Sequence, residues 1–427
     1  MDINNLIENV RSFFIEQYKN AEKSNLFISF EPLGSMIDPS DFKEGDDDIN
    51  QIKATEQLSI LGDRLPQIDD VFLPGTSRLS DSYDELIKSA VFTGIKINAE
   101  DKSDYIARFT EIKSESGFKL EEAKKASIQT PEGSYLPVYG YPKKWYDPKS
   151  AFWVNKTFSA KESDTAPPPV PPVRKPLNFG WRTKVVANTE HVEADTAPTA
   201  FQHLSKLSTI EMLRSAKKED STPIRSAQLM RTLRPGSFFA TAASPVVKEA
   251  SEVKPLSPSP VIELKSFNLL KNVNLAERVN LINAIVKNDT TAVAPVHSNE
   301  FSMSFDYCLV YLDRPWFNTS FFHYANMWFC LSLKENFFSS GTKDETNTGV
   351  LKCIPTAMIL IKDLRISAAW TDDDKTNAAN SIGLGFFNIN KSEFINNELV
   401  TPGMQIIGWM CEVMPKIPAI SDPSITF

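Results

Sequence analysis

The chain has 427 residues, of which 41% are hydrophobic, 23% charged and 11% aromatic. That length exceeds a single compact core and the apolar content can build two, so two domains with connections are expected. A net charge of −8 and a pI near 5.3 argue against a nucleic-acid partner, which calls for a basic face that displaces counterions from phosphate.

The chain opens on MDINNLIENVRSFF, which is acidic and amphipathic. It lacks the basic start, apolar stretch and small-residue site of a secretory signal, and no run of about 18 apolar residues predicts a membrane helix. The expected location is the cytoplasm on synthesis, with any release occurring as part of a particle. Leu6, Val10, Phe13, Phe14 and Tyr18 fall on one helical face. NLFISFEP then reads as a strand closed by the turn DPSD, and ATEQLSILGDRL as a second helix. Ser82 and Glu85 form an S-x-x-E capping box ahead of LIKSAVF, which predicts a third helix starting there. A fourth, beginning near Asn98, carries Tyr105, Ile106, Phe109 and Ile112 on one side. YPKKWYDP and AFWVNKTF read as a loop and a strand that close a helix-leaning N-terminal domain, residues 1–158.

Residues 159–260 differ in kind. ESDTAPPPVPPVRKP is a proline run that favours extended polyproline II. The tracts after it are rich in Ala, Ser, Thr and Pro and bury too little apolar surface to offset the entropy of ordering. A long linker is expected, with PLNFGW and FQHLSKLSTIEML as short docking segments.

From residue 261 a β-rich C-terminal domain is expected. Asn274 and Glu277 are placed to cap a helix over LAERVNLINAIV. In FSMSFDYCLVYLDRPWF, Phe301, Met303, Phe305, Tyr307, Leu309 and Tyr311 alternate onto one face. Ser302, Ser304 and Asp306 begin the other face, which turns apolar at Cys308, Val310 and Leu312. This is a strand half exposed at its start and buried on both sides at its end. MWFCLSL, AMILIKDLRISAAW and GMQIIGWMCEVM repeat the theme, separated by the polar SSGTKDETNTG and WTDDDKTNAANS. The fold class is therefore α+β and multidomain, ending in an antiparallel β-sandwich or barrel.

Chemistry is hard to place on this sequence. Cys308 would need a base such as His323 or Asp313 and an accessible, electropositive setting, but it sits mid-strand among core residues. Cys308, Cys330, Cys353 and Cys411 are widely spaced, without C-x-x-C or zinc spacing, and read as reduced buried thiols. His297 and His323 lie in the C-terminal domain, His191 and His203 in the linker, and none pairs as H-x-x-x-H. Asp46, Asp48 and Asn50 match the first ligands of an EF-hand loop. Gln51 stands where glycine is needed and Gln57 where the bidentate glutamate belongs. TDDDKTN fails in the same way, so both are expected to be solvated acidic loops. No phosphate-binding glycine loop, Rossmann fingerprint or nucleophile elbow is present, and SIGLGFF follows no strand–helix logic. No catalytic, cofactor or metal residue is therefore assigned. Paired carboxylates leave no short signature, so a hydrolase stays open.

The run WFNTSFFHYANMWF carries the one binding surface the residues suggest. Exposed, Trp316, Phe321, Phe322, Tyr324 and Trp328 would anchor a partner or a membrane interface; buried, they would close one end of the sandwich, which is the favoured reading because aromatics near strands mostly make core.

FSMSFDYCLVYLDRPWF, CIPTAMILIKDLRISAAW and PGMQIIGWMCEVMPKIP resemble a mainly bacterial, uncharacterised protein group with the same C-terminal phrases. SFEPLGSMIDPSDF and WYDPKSAFW resemble its N-terminal half. The resemblance covers both ordered regions and implies no activity and no site residues. Its association is with toxin-like or contractile-injection gene neighbourhoods. The expectation is a non-catalytic structural component or passenger of a larger bacterial assembly, partnered by other protein chains. The alternatives are a membrane-acting toxin, with the aromatic run as its insertion element, and a hydrolase.

Overall fold

The structure, a computed structural model, describes residues 3–17, 25–42, 51–93, 101–130, 133–159, 180–183, 275, 279 and 293–425. Four helices lie in the first part: α1 Ile3–Gln17, α2 Gln51–Gly62, α3 Leu79–Ser89 and α4 Lys102–Lys125. Strand β1 spans Leu26–Ile37, β2 Arg64–Pro66, β3 Pro74–Arg78 and β4 Ala90–Phe92. β5 (Ile128–Thr130), β6 (Gly133–Tyr135), β7 (Tyr139–Tyr141), β8 (Val154–Phe158) and β9 (Trp181–Thr183) follow. Then come β10 Val293–Ala294, β11 Asn299–Asp313, the short helix α5 Ser320–His323, β12 Trp328–Cys330 and β13 Cys353–Ala369. Helix α6 (Asp372–Asn380) precedes β14 Ser381–Leu384, β15 Phe387–Asn388, β16 Glu393–Ile395 and β17 Glu398–Val413.

The centre is one antiparallel sheet in the order β1-β17-β13-β11-β7, with β8 also on β11 and β16 on β17. Its long strands β11, β13 and β17 are those whose apolar runs stand out in the sequence. Alternation sorts their side chains onto two cores. Phe301, Met303, Phe305, Ile359, Ile361 and Ile407 face one core; Cys308, Val310, Met358, Leu360, Ile406 and Trp409 face the other. A sheet covered on both faces needs apolar residues at successive positions, which explains the unbroken runs in β13 and β17. Among the described residues the sheet is open, with β1 at one edge and β7 and β8 at the other. The class is α+β with a large antiparallel sheet.

α1 places Ile3, Leu6, Ile7, Val10 and Phe14 in the first core, the i, i+3, i+4, i+7 spacing of an amphipathic helix. Each side chain of this kind contributes roughly 1.5–3 kcal/mol by burial. A four-stranded sheet, β10-β9-β14-β15, joins the same core through Leu384 and Phe387, and Phe386 just before β15 stacks on Phe30 at 3.9 Å. α2 covers the opposite face with Ala54, Leu58 and Leu61, beside Phe42, Phe72, Trp145 and Tyr146.

The domain boundaries drawn at 158 and 261 do not divide this body. β1 pairs with β17 (Leu26 opposite Glu412), and β7 and β8 pair with β11, so both ends of the chain build one sheet. Residues 1–186 and 262–427 accordingly cluster as one compact unit. Most of the proposed linker, the Asn274/Glu277 cap, His191, His203, Tyr18 and the Asp46–Asn50 loop lie outside the described residues.

Three local expectations are corrected. α3 starts three residues before Ser82, because its first turn is held from a distance. Leu79 N donates to the Asp63 carbonyl at 2.8 Å, and Ser80 N and Oγ donate to the Asp63 carboxylate, each at 2.8 Å. α4 begins at Lys102 and buries Phe109 and Ile112, whereas Tyr105 and Ile106 are exposed. TDDDKTN is the start of helix α6, not a loop: the Thr371 hydroxyl accepts from Asp374 N at 3.2 Å, and three aspartates occupy the positive end of the helix.

Candidate functional site

The aromatic run is core. Trp316, Phe321, Phe322 and Trp328 are buried, with Trp316 1% and Trp328 0% exposed, and Tyr324 is half-buried against the same cluster. α3, α4, α5 and β12 converge there with Tyr83, Leu86, Phe109 and Ile112. Trp316 Nε1 donates to the Pro137 carbonyl at 3.0 Å, and Asn318 N donates to Tyr83 Oη at 3.0 Å. Phe321 lies 4.8 Å from Trp328 and 6.2 Å from Phe109, centroid to centroid. Helices from the first 125 residues supply half of this cavity wall, which inspection of the run in isolation does not reveal. Trp316, Phe321, Phe322 and Trp328 therefore present little surface, and Tyr324 keeps part of its ring exposed.

The other sequence candidates are also structural. Cys308 is buried, and desolvation pushes its thiol up to about 12, so no thiolate forms near neutral pH. The other three cysteines are free and buried, with burial raising each thiol. His297 and His323 are exposed. Arg314 is buried and donates Nε and Nη2 to the Gly62 carbonyl at 3.2 and 2.8 Å; burial lowers its pKa to about 10. Next to it Asp63 is raised to about 6 by burial, against the pull of its Ser80 hydrogen bonds. Together they tie the end of α2 to α3 and to the end of β11. Asp374, the buried aspartate of TDDDKTN, accepts from His297 N (3.0 Å), from Ser298 N and Oγ, and from Thr371 Oγ1 (2.9 Å). Its oxygens are taken by these donors. Among the described residues no group of three or more His, Cys, Asp and Glu could hold a metal ion, and no helix is long and apolar enough to cross a membrane.

Glu31 is the most perturbed carboxylate. It sits where β1 leaves register with β17, between Phe30 opposite Gly408 and Ser35 opposite Ile406. Oε1 accepts from Trp409 Nε1, while Oε2 is buried without a hydrogen bond. Burial raises its pKa to about 7, and the Trp409 hydrogen bond and the Arg64 charge offset only part of that.

The side chains that do face solvent together lie at the other edge of the sheet. β7 pairs with the end of β11 so that Tyr141 stands opposite Tyr311 and Tyr139 opposite Asp313. Gly140, between the two tyrosines, points to the α2 core, where a Cβ would come within 2.7 Å of both Leu58 Cδ1 and Trp145 Nε1. Only glycine lets β7 lie that close, and the close approach turns both flanking tyrosines outward. Tyr139, Tyr141 and Tyr311 are 38%, 44% and 45% exposed, and Val154 on neighbouring β8 is 51% exposed. Among the described residues, Phe13 and Phe14 of α1 pack edge-on against Tyr307 at 5.2 and 5.4 Å. Four residues further along β11 the same face carries this ladder of three phenols and a carboxylate. The alternating VYGYP was the available signal, but only pairing with Tyr311 makes it a surface.

No protein-family model, no curated protein and no solved structure matches this chain.

Proposed function

We propose that this protein is a non-catalytic component of a larger bacterial assembly and that it holds other protein chains through the Tyr139–Tyr141–Tyr311 ladder. The observation that carries the reading is the register at the β7–β11 edge. It fixes three exposed phenols and Asp313 side by side on a strand pair of the central sheet. Tyrosine suits such a surface: each ring offers apolar area and a polar tip, and loses only two torsions on binding. In this reading the Pro-, Ser-, Thr- and Ala-rich sequence within 159–260 serves as a tether, the role its composition suits. The particle type, contractile-injection-like, rests on the resemblance of the terminal phrases alone. The protein is made in the cytoplasm and leaves, if it does, with its particle.

The toxin reading loses its insertion element, since the aromatic run lines a core. A triple variant Tyr139→Ser, Tyr141→Ser, Tyr311→Ser, in the full chain, is expected to lose the chains that co-purify with the wild type. Retention of every partner by a folded triple variant defeats the proposal, as does a wild-type protein that binds no chain. Leakage of anionic liposomes by the wild type would favour the toxin instead.

A further inference from the structure

The proline run contains Pro169-x-x-Pro172-x-Arg174, followed by Lys175 and Pro176. Proline rings lock φ, so such a run favours polyproline II before it binds and loses little entropy on docking. Its usual receptor is a groove between aromatic rings, with an acidic group meeting the flanking base. The ladder has that composition: Tyr139 and Tyr141 are two residues apart on one strand, roughly 7 Å, with Tyr311 across from Tyr141 and Asp313 across from Tyr139. A polyproline II turn repeats every three residues, roughly 9 Å. In that conformation Pro168, Pro171 and Arg174 would share one edge, and Pro169 and Pro172 the next. Two adjoining proline edges can sit among the phenols while Arg174 reaches toward Asp313.

The anchors of the run decide whose ladder it meets. Phe158 pairs with Met303, and Trp181 pairs with Ala294, five residues ahead of β11. Both anchors therefore lie at the far end of β11 from Tyr311; from Met303 alone that is roughly 27 Å of strand. Docking on its own ladder would require the chain to run out along β11 and return. That path places its stiffest residues, the prolines, at the apex where it must turn. Docking on a neighbour requires no turn. We propose that the proline run of one copy of this chain, residues 167–176, docks on the Tyr139–Tyr141–Tyr311 ladder of a second copy. This rests on the assembly reading above and names the partner. The contact joins two different surfaces, so it is head-to-tail, and it can close reciprocally between two copies or continue from copy to copy.

Two full-length variants test it: the triple-serine ladder variant and a run variant, Pro168→Ser, Pro169→Ser, Pro171→Ser, Pro172→Ser and Arg174→Ser. Sedimentation velocity over a concentration series is expected to show wild-type protein associating into dimers or larger species and each variant alone staying monomeric. An equimolar mixture of the two variants should stop at the dimer, because one intact run and one intact ladder remain. A monomeric mixture overturns the proposal, and so does wild-type protein that stays monomeric. If the run variant associates like wild type while the ladder variant does not, the surface reading stands and the occupant is wrong. If the run variant is monomeric like wild type but its tyrosines react faster with tetranitromethane, the run docks on its own ladder, and the proposal also fails. The run variant alters no residue of the described core, so it reports even if the ladder variant folds poorly.

Discussion

The molecule carries two groups of aromatic side chains with opposite fates. The group from Trp316 to Trp328 is dense in sequence, and three helices and a strand close around it. The ladder is sparse, assembled from residues 139, 141 and 311, and the described elements leave it open to solvent. The difference teaches that aromatic density in a sequence marks a place where many elements can converge, and so a core. A recognition surface needs few rings, fixed by backbone register on a strand pair whose other face is already packed. Gly140 shows the division on a single strand: its α-carbon meets the core while its neighbours meet water.

Perturbing each group in turn tests the contrast. Trp328→Ala should be the most damaging change, costing about 3–5 kcal/mol as a buried large-to-small substitution. The measurement is urea unfolding followed by tryptophan fluorescence, and a loss below about 1 kcal/mol would mean the cluster is not the core described above. Glu31 and Asp63, both raised by burial, should share the pH dependence below neutrality. The folded pKa of Glu31, about 7, lies above the 4.5 ordinary for a glutamate, so the folded state holds its proton more tightly than the unfolded chain does. The stabilisation is complete below about pH 4.5 and declines as pH rises to about 7, by at most about 3 kcal/mol. Glu31→Gln keeps an acceptor for Trp409 and should flatten that slope between pH 5 and 7; an unchanged slope places the titration elsewhere.

Arg314→Met comes next, at roughly 1.5–3 kcal/mol, because it removes two charge-assisted hydrogen bonds to the Gly62 carbonyl inside a buried site. Thermal melts of this variant beside Arg314→Lys would show whether the planar fork matters, as the paired Nε and Nη2 contacts predict. Tyr141→Ser should be the mildest for stability, within about 1 kcal/mol, since it alters a side chain already in water. It should nonetheless weaken association in sedimentation. A large loss of stability with unchanged association would reverse the roles assigned to the two groups.

The sequence disclosed periodic elements well and partnerships poorly. α1, β11, β13 and β17 are long enough for their periods to be read, and the two faces of β11 sort as its alternation predicts. Its end, expected to be buried on both sides, instead leaves Tyr311 and Asp313 exposed, because the cover from α1 lies over Tyr307. The third helix was displaced because its cap, Asp63, lies sixteen residues upstream of Leu79 and acts through space. β7 has three residues, too few for a period to register. The ladder needed a pairing between Tyr141 and Tyr311, 170 positions apart, which no local window contains. The aromatic run is buried, as its place beside strands suggests, but its neighbours supply no sign that α3 and α4 will cover it.

The pairing of β1 with β17 has a consequence for how the chain comes off the ribosome. Leu26 meets Glu412, so a strand made at the outset waits for one made 386 residues later. At about 5–20 residues per second that delay is roughly 20–80 s. During it β1 presents Phe27, Ile28 and Phe30 without the partner that will bury them. α1 and the polar residues around the strand, with whatever chaperone the cell provides, must keep it from other nascent chains. Before synthesis is finished the unpaired β1 is thus an adhesive edge earlier and less selective than the proposed ladder, and the time to make β17 sets how long it stays open.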